Sequence, residues 1–181
     1  MAIIKNIEID GRQVAFNASA AVPRIYRARF GRDLFEDLSE LMDAIDQSSA
    51  ENSTLSIKAL TTFEDIAYTM AKHADPAIPE TPEEWLDGFN FFSIYGILPQ
   101  IVEMWKLNSA TTAESKKKSE HSDRPLTTGL FLLRCTQLGL TMADLDLLTV
   151  GMIYDMMIEN GNDGCEDAYA KTATQADFDA F

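Results

Sequence analysis

Residues 3–33, IIKNIEIDGRQVAFNASAAVPRIYRARFGRD, decide the fold because the spacing of their apolar residues changes within this stretch. Up to Ile9, apolar and polar residues alternate, as they do in a β-strand with one buried face. Asp10-Gly11 then supplies a tight turn and Gln13–Phe16 a second strand, so the sequence predicts a β-hairpin. Over Pro23–Ile45, apolar residues recur every three to five positions. This spacing predicts one amphipathic helix with proline in its first turn.

Helical spacing continues through the first half of the chain. The polar stretch 47–54 is predicted to separate the first helix from a second one. Thr81 before Pro82 has the form of a helix start, with the threonine as N-cap. Within the apolar segment 91–107, Pro99 is expected to kink the chain or to divide it into two helical pieces.

The composition changes abruptly at residues 109–125, SATTAESKKKSEHSDRP, which contain no large apolar residue. Such a composition is typical of a flexible linker. It divides the chain into a domain of residues 1–108 and a small helical domain of residues 126–161, and residues 162–181 are expected to form a disordered tail. The predicted fold class is mainly α with an N-terminal β-hairpin (α+β).

Three helices are predicted after the linker. The apolar helical pattern of Leu126–Leu138 ends at Gly139, a residue that commonly terminates helices. Thr141–Asp144 resembles an acidic variant of the capping box and predicts the start of a second helix. Val150–Ile158 predicts a third.

The net charge of the 181-residue chain is −14, which restricts the partners that it can bind. Binding to nucleic acid phosphates or to anionic lipid is unfavourable for the chain as a whole, so protein partners are expected. No apolar run approaches the roughly 20 residues of a membrane-spanning helix, and we expect a cytoplasmic protein. The two cysteines, Cys135 and Cys165, suggest neither a disulfide framework nor a metal site.

Residue types that carry catalysis are sparse in this sequence. The two histidines, His73 and His121, have no matching cysteine or aspartate pattern. Neither a phosphate-cradling glycine motif, nor zinc-ligand spacing, nor a nucleophile elbow is found. The sequence therefore predicts a protein that is not an enzyme and that needs no cofactor and no metal.

Two clusters offer binding chemistry. Four arginines fall in one short segment: Arg24, Arg27, Arg29 and Arg32. A spacing of three places pairs of them on one helix face, where they could grip an acidic partner, or form a solvated face neutralised by the carboxylates that follow. Four methionines gather later in the chain: Met142, Met152, Met156 and Met157. They could form an adaptable binding surface, although methionine more often fills irregular interiors, and core packing is the interpretation that we prefer.

The pattern Pro-Arg-Ile-Tyr-Arg-(x)2-Phe-Gly-Arg-Asp over Pro23–Asp33, after a hairpin and before a lysine-rich linker, resembles the tail assembly chaperones of Gram-positive siphophages and prophages. Gly139–Asp155 and Asn160–Asp163 resemble the short T-type extension of the same family. The resemblance spans nearly the whole chain. It implies a G-type domain joined to a T-type domain.

The function of that family is implied along with the fold. Its members coat the long, helical tape measure protein before the tail tube (major tail) protein polymerises around it, and the T-type domain recruits the tube protein. We therefore expect residues 1–108 to hold the tape measure protein and residues 126–161 to engage the tube protein. The contact candidates carried over from the matching segments are Arg24, Arg27, Asp144 and Tyr154. Self-association is a further expectation, whereas membrane and nucleic acid are not expected as partners.

The resemblance also implies how such a chain is made and where it acts. Lys116–Lys118 can be encoded by a slippery run at which ribosomal frameshifting would produce a longer product, although a solubilising lysine linker has the same protein sequence. The family acts in the host cell cytoplasm and is not expected in the mature virion. The alternative function is an acidic interaction protein, or nucleic-acid mimic, that binds a basic protein target, and the net charge is its support.

Overall fold

The computed structural model describes residues 1–51, 54–90, 93–116 and 124–163. It confirms the predicted class, a mainly helical chain with an N-terminal antiparallel β-hairpin. The elements are β1 (Ile3–Ile9), β2 (Arg12–Ala18), α1 (Val22–Phe30), α2 (Leu34–Glu51), α3 (Ile57–Ala74), α4 (Pro82–Leu86), α5 (Ser93–Gly96), α6 (Leu98–Ser109), α7 (Thr128–Gln137), a 3-10 turn (Asp144–Asp146) and α8 (Val150–Asn162).

The hairpin closes through the two-residue turn that the sequence predicts. Asp10 and Gly11 have φ angles of 52° and 72°, as a type I′ turn requires. Ile9 lies opposite Arg12 in the resulting register. The Asp10 carboxylate also accepts hydrogen bonds from the Asn90 N–H and the Ser93 hydroxyl, so it ties the turn to the start of α5.

The single helix predicted over Pro23–Ile45 is wrong, because the chain breaks between α1 and α2. Gly31 has a φ of 70°, and its N–H donates to the Arg27 carbonyl at 2.9 Å, which ends α1. The apolar spacing runs on across the break because both helices turn their apolar residues toward the protein interior. Helix α2 also extends to Glu51, into the polar stretch 47–54 that was predicted to follow the first helix.

The other helix boundaries of the first half follow their local signals. The Thr81 hydroxyl caps α4 by accepting the Glu84 N–H at 3.3 Å. Pro99 lies in the first turn of α6 and follows α5, so the predicted division of segment 91–107 into two helices is confirmed.

The helix predicted to begin at Thr141–Asp144 is only a 3-10 turn. The Asp144 carboxylate accepts both the N–H and the hydroxyl of Thr141 at 2.7 Å, which closes the turn. Beyond it, the carbonyls of Leu147 and Leu148 accept the N–H groups of Ala2 and Ala20 at 2.8 Å each. The backbone therefore bonds to the open end of the hairpin and does not continue as a helix. Helices α7 and α8 lie where the sequence predicts them.

Two apolar cores share a boundary. The first lies between the hairpin, α2, α3 and α6, and its largest fully buried side chains include Phe16, Phe63 and Tyr68. The second is built from Ala20, Ala21, Phe131, Cys135, Leu145, Val150 and Ile153. Trp105 packs against both. Cys135 is 1% exposed, as expected of a small core residue.

Part of the predicted linker lies along α8. We call residues 110–116 the strap. The N–H groups of Thr112 and Ala113 donate to the Asp155 carboxylate at 2.8 and 2.9 Å. The Asn162 side chain accepts the Lys116 N–H at 2.9 Å and donates to the Glu114 carbonyl at 3.0 Å.

The division into two domains stays a prediction. The predictions for His121, Cys165 and residues 117–118 fall outside the described residues, as does the predicted tail beyond Asp163.

Candidate partner-binding surface

Arg24, Arg27 and Asp144, three of the four predicted contact residues, lie in different settings. Arg24 is half-buried, and its Nε is buried without a hydrogen-bond partner. Arg27 is paired with Asp33 at 3.3 Å. Asp144 is exposed, and its bonds from Thr141 lower the pKa of its carboxyl. Arg27 and Asp144 are thus engaged by residues of the same chain, whereas no contact of this kind satisfies the buried Nε of Arg24.

Tyr154, the fourth, packs edge-on against Phe131 with the ring centroids 6.2 Å apart. Burial raises the pKa of its phenol to about 12, and its hydroxyl is buried without a hydrogen-bond partner. Among the described residues, no hydrogen bond, ion pair or ring contact joins any two of the four predicted side chains. Their role in binding stays a prediction.

The other two arginines are held by carboxylates of the same chain. Arg32 lies over the rings of Tyr26 and Phe30, and it pairs with Asp37 at 3.1 Å and with Asp65. Burial raises the pKa of Asp65 to about 6, against the opposing effect of the Arg32 guanidinium. Arg29 pairs with Glu80 at 3.8 Å. These contacts favour the interpretation of the arginine cluster as a neutralised face. Asp65 and Glu80, however, are not among the carboxylates directly after the arginines that the sequence predicted as their partners.

A patch of exposed apolar side chains forms where the chain start meets α8. We call Met1, Leu147, Met152 and Met156 the methionine surface, and they are 91%, 69%, 40% and 37% exposed. The Met1 ammonium lies 2.8 Å from the Met152 sulfur, and the Ala2 N–H donates to the Leu147 carbonyl at 2.8 Å. Met152 and Met156 are four residues apart and so share one face of α8.

Core packing is therefore the wrong interpretation for three of the four clustered methionines. Met142 is 40% exposed, like Met152, and Met156 is nearly as accessible. Met157 alone of the four packs against the second core. Unbranched thioether side chains on a surface can repack against apolar partners of irregular shape. The methionine surface is thus the candidate for binding a partner.

His73 lies in a partly buried polar cluster. Its Nε2 is 2.9 Å from the Ser19 hydroxyl and 3.7 Å from an Asp146 carboxylate oxygen. Ser19 is fully buried, and both neighbours meet the same ring nitrogen, whereas a catalytic triad places its carboxylate on the other nitrogen. The cluster therefore joins the end of β2, α3 and the 3-10 turn.

No group of three His, Cys, Asp or Glu side chains within the described ranges could hold a metal ion. The same ranges contain no helix of the length and apolar character needed to cross a membrane.

Comparison with known protein families, with curated proteins and with solved structures found no match. A function must therefore be inferred from the residues of this chain. The methionine surface, the net charge and the sequence resemblance are the observations that bear on it.

Proposed function

We propose that this protein is a tail assembly chaperone of a long-tailed phage or prophage. It acts in the host cell cytoplasm, where it covers the tape measure protein until tail tube subunits polymerise around that protein. The proposal is supported by the resemblance over Pro23–Asp33 and in the C-terminal helices. It is also supported by the methionine surface.

The methionine surface is the observation that carries the proposal. A long helix with an exposed apolar stripe aggregates unless that stripe is covered. Exposed methionines suit this role because their side chains adapt to successive, non-identical segments of such a helix. Many copies bound along one filament add avidity, so each contact can be weak enough to be displaced by the tube protein.

The net charge supplies a second argument. A coat of chains that each carry a formal charge of −14 would repel other coated filaments and keep the complex in solution. The apolar contact itself should be insensitive to salt, because it buries no ion pair.

Three of the four side chains of the methionine surface lie within residues 126–161, so the proposal departs from the expectation that residues 1–108 hold the tape measure protein. Recruitment of the tube protein is assigned to the rest of residues 126–161. Leu133 on α7 is 48% exposed and Met142 is 40% exposed, so apolar side chains are accessible there as well.

The proposal is tested by co-expressing this chain with the long, helical tape measure protein of the phage or prophage that encodes the chain, followed by size-exclusion chromatography. The long protein should become soluble and co-elute, and the complex should persist when NaCl is raised to about 0.5 M. A long protein that stays insoluble, with the chain binding a basic protein only at low salt, would replace the proposal with the acidic-mimic alternative.

A further inference from the structure

The outer edge of β2 carries unpaired backbone groups. In a type I′ hairpin the residues that close the turn, here Ile9 and Arg12, form a hydrogen-bonded pair. The next pair along the strands, and every second pair from there on, points its N–H and C=O groups outward, away from the partner strand. On β2 the outward positions include Gln13 and Ala15. None of the backbone hydrogen bonds in the described ranges reaches these groups. This edge is therefore open to a further strand.

A cleft of about 320 Å³ lies beside the open edge, and Gln13 and Ala15 are among its lining residues. Its apolar wall comes from Ile78, Pro79, Trp85 and Phe89. The Trp85 and Phe89 rings meet edge-on, with their centroids 5.3 Å apart. The cleft can thus hold one large apolar side chain of a strand that lies along β2.

The charges at the cleft are predominantly acidic. Asp75 and Glu84 line it together with Arg12. The Arg12 guanidinium donates to the Gly88 carbonyl at 3.1 Å, which fixes its position but leaves its positive charge, so one carboxylate charge at the cleft is in excess. A segment with basic residues beside its apolar anchor would complement the two carboxylates and the negative charge of the whole chain.

We propose that the β2 edge binds an extended segment of a partner protein as a third strand. The segment pairs with the backbone of Gln13 and Ala15, places one large apolar side chain in the cleft, and carries lysine or arginine on both sides of it. In this mode of recognition the backbone bonds supply affinity and the cleft supplies specificity. The inference does not rest on the proposed function, since the methionine surface is formed by other elements.

The opposite edge of the hairpin provides a matched control. Asn6 on β1 lies opposite Ala15 in the register, so its N–H also points outward. The cleft, however, is lined by no β1 residue. Ala15→Pro and Asn6→Pro each remove one outward N–H without removing a bond between the two strands.

The test uses the full chain and the peptide acetyl-Lys-Val-Lys-Phe-Lys-Val-Lys-amide at about 0.15 M NaCl, a concentration that weakens nonspecific charge attraction. Calorimetry should show binding, and NMR should show slower hydrogen exchange at the Gln13 and Ala15 amides. Ala15→Pro should weaken binding about tenfold, because one backbone bond is lost and the added ring crowds the strand. Asn6→Pro should leave the affinity within about twofold of the native chain.

A peptide N-methylated at alternate residues removes the same bonds from the ligand side, so the test holds even if Ala15→Pro does not fold. That peptide should not bind. The proposal is overturned if the lysine peptide does not bind, if the N-methylated peptide binds equally well, or if both proline variants weaken binding alike. It is also overturned if a peptide with glutamate in place of each lysine binds as tightly as the lysine peptide. A further contradicting result would be that the Gln13 and Ala15 amides exchange slowly without peptide because the chain dimerises.

Discussion

His73 shows how a single residue can make stability depend on pH. Burial lowers the pKa of its imidazole from the usual 6.5; Asp146 opposes this effect and Arg24 adds to it. The folded state therefore favours the neutral ring, and the unfolded chain binds more protons as the pH falls below about 6.5. The contribution of His73 to stability is present above that pH and is lost on acidification.

We expect acidification from about pH 7.5 to 5.5 to lower the free energy of unfolding more in the native chain than in His73→Gln, whose amide does not titrate. Urea unfolding at the two pH values measures this loss of unfolding free energy in each chain. Other titrating groups, such as Asp65, affect both chains alike, so their effects cancel when the two losses are compared. Equal pH dependence in native and His73→Gln would show that the imidazole does not titrate with folding.

At the scale of elements, the contact between the strap and α8 depends on a residue without a side chain. A Cβ on Gly151 would lie 1.8 Å from the Ala110 carbonyl oxygen, so the helix and the strap could not keep their present distance. We expect Gly151→Ala to destabilise the chain by about 1–3 kcal/mol, as overpacked sites do. Faster hydrogen exchange at the Thr112 and Ala113 amides would locate the damage in the strap.

Gly161, in the same helix, is the control for this change. A Cβ there would meet nothing within 4 Å, so Gly161→Ala should be neutral or should stabilise the chain by up to about 1 kcal/mol. Thermal and urea unfolding of the two variants make the comparison. Two alanine variants of equal stability would mean that the strap does not lie against Gly151 in solution.

Elements whose signals are local could be predicted from the sequence. Asp10-Gly11 makes the hairpin turn, Thr81 caps a helix, Pro99 starts one and Gly139 follows the end of one. The 3-10 turn could not be predicted, because what stops the helix there is bonding of later carbonyls to the distant hairpin. At Gly31 the signal was present but was masked by apolar spacing that continues across the break.

At the scale of the whole molecule, the candidate site depends on contacts that no local pattern contains. The sequence singled out Met152 and Met156, but Met1 joins them only because the hairpin brings the chain start against α8. The partners of Arg29 and Arg32 are likewise distant in sequence, as Glu80 and Asp65 show. Residue type indicated the chemistry, and tertiary structure decided which side chains stay exposed.

The proposed role of the methionine surface is tested most directly by charging it. Met152→Lys combined with Met156→Lys places two ammonium groups on an apolar contact at exposed positions, where the fold should tolerate them. Ile57→Lys is the control, because Ile57 is 84% exposed at the first residue of α3. His73, which lies near Asp146 and so next to Leu147 of the methionine surface, is at the other end of α3, about 24 Å along the helix. Matching melting temperatures would show that all the chains are folded.

The measurement is the fraction of the long helical protein that stays soluble when it is co-expressed with each chain. We expect the native chain and Ile57→Lys to keep the long protein soluble and to co-elute with it, whereas the double lysine variant should leave it in the pellet. A double lysine variant that solubilises the long protein as well as the native chain does would show that the methionine surface does not bind it.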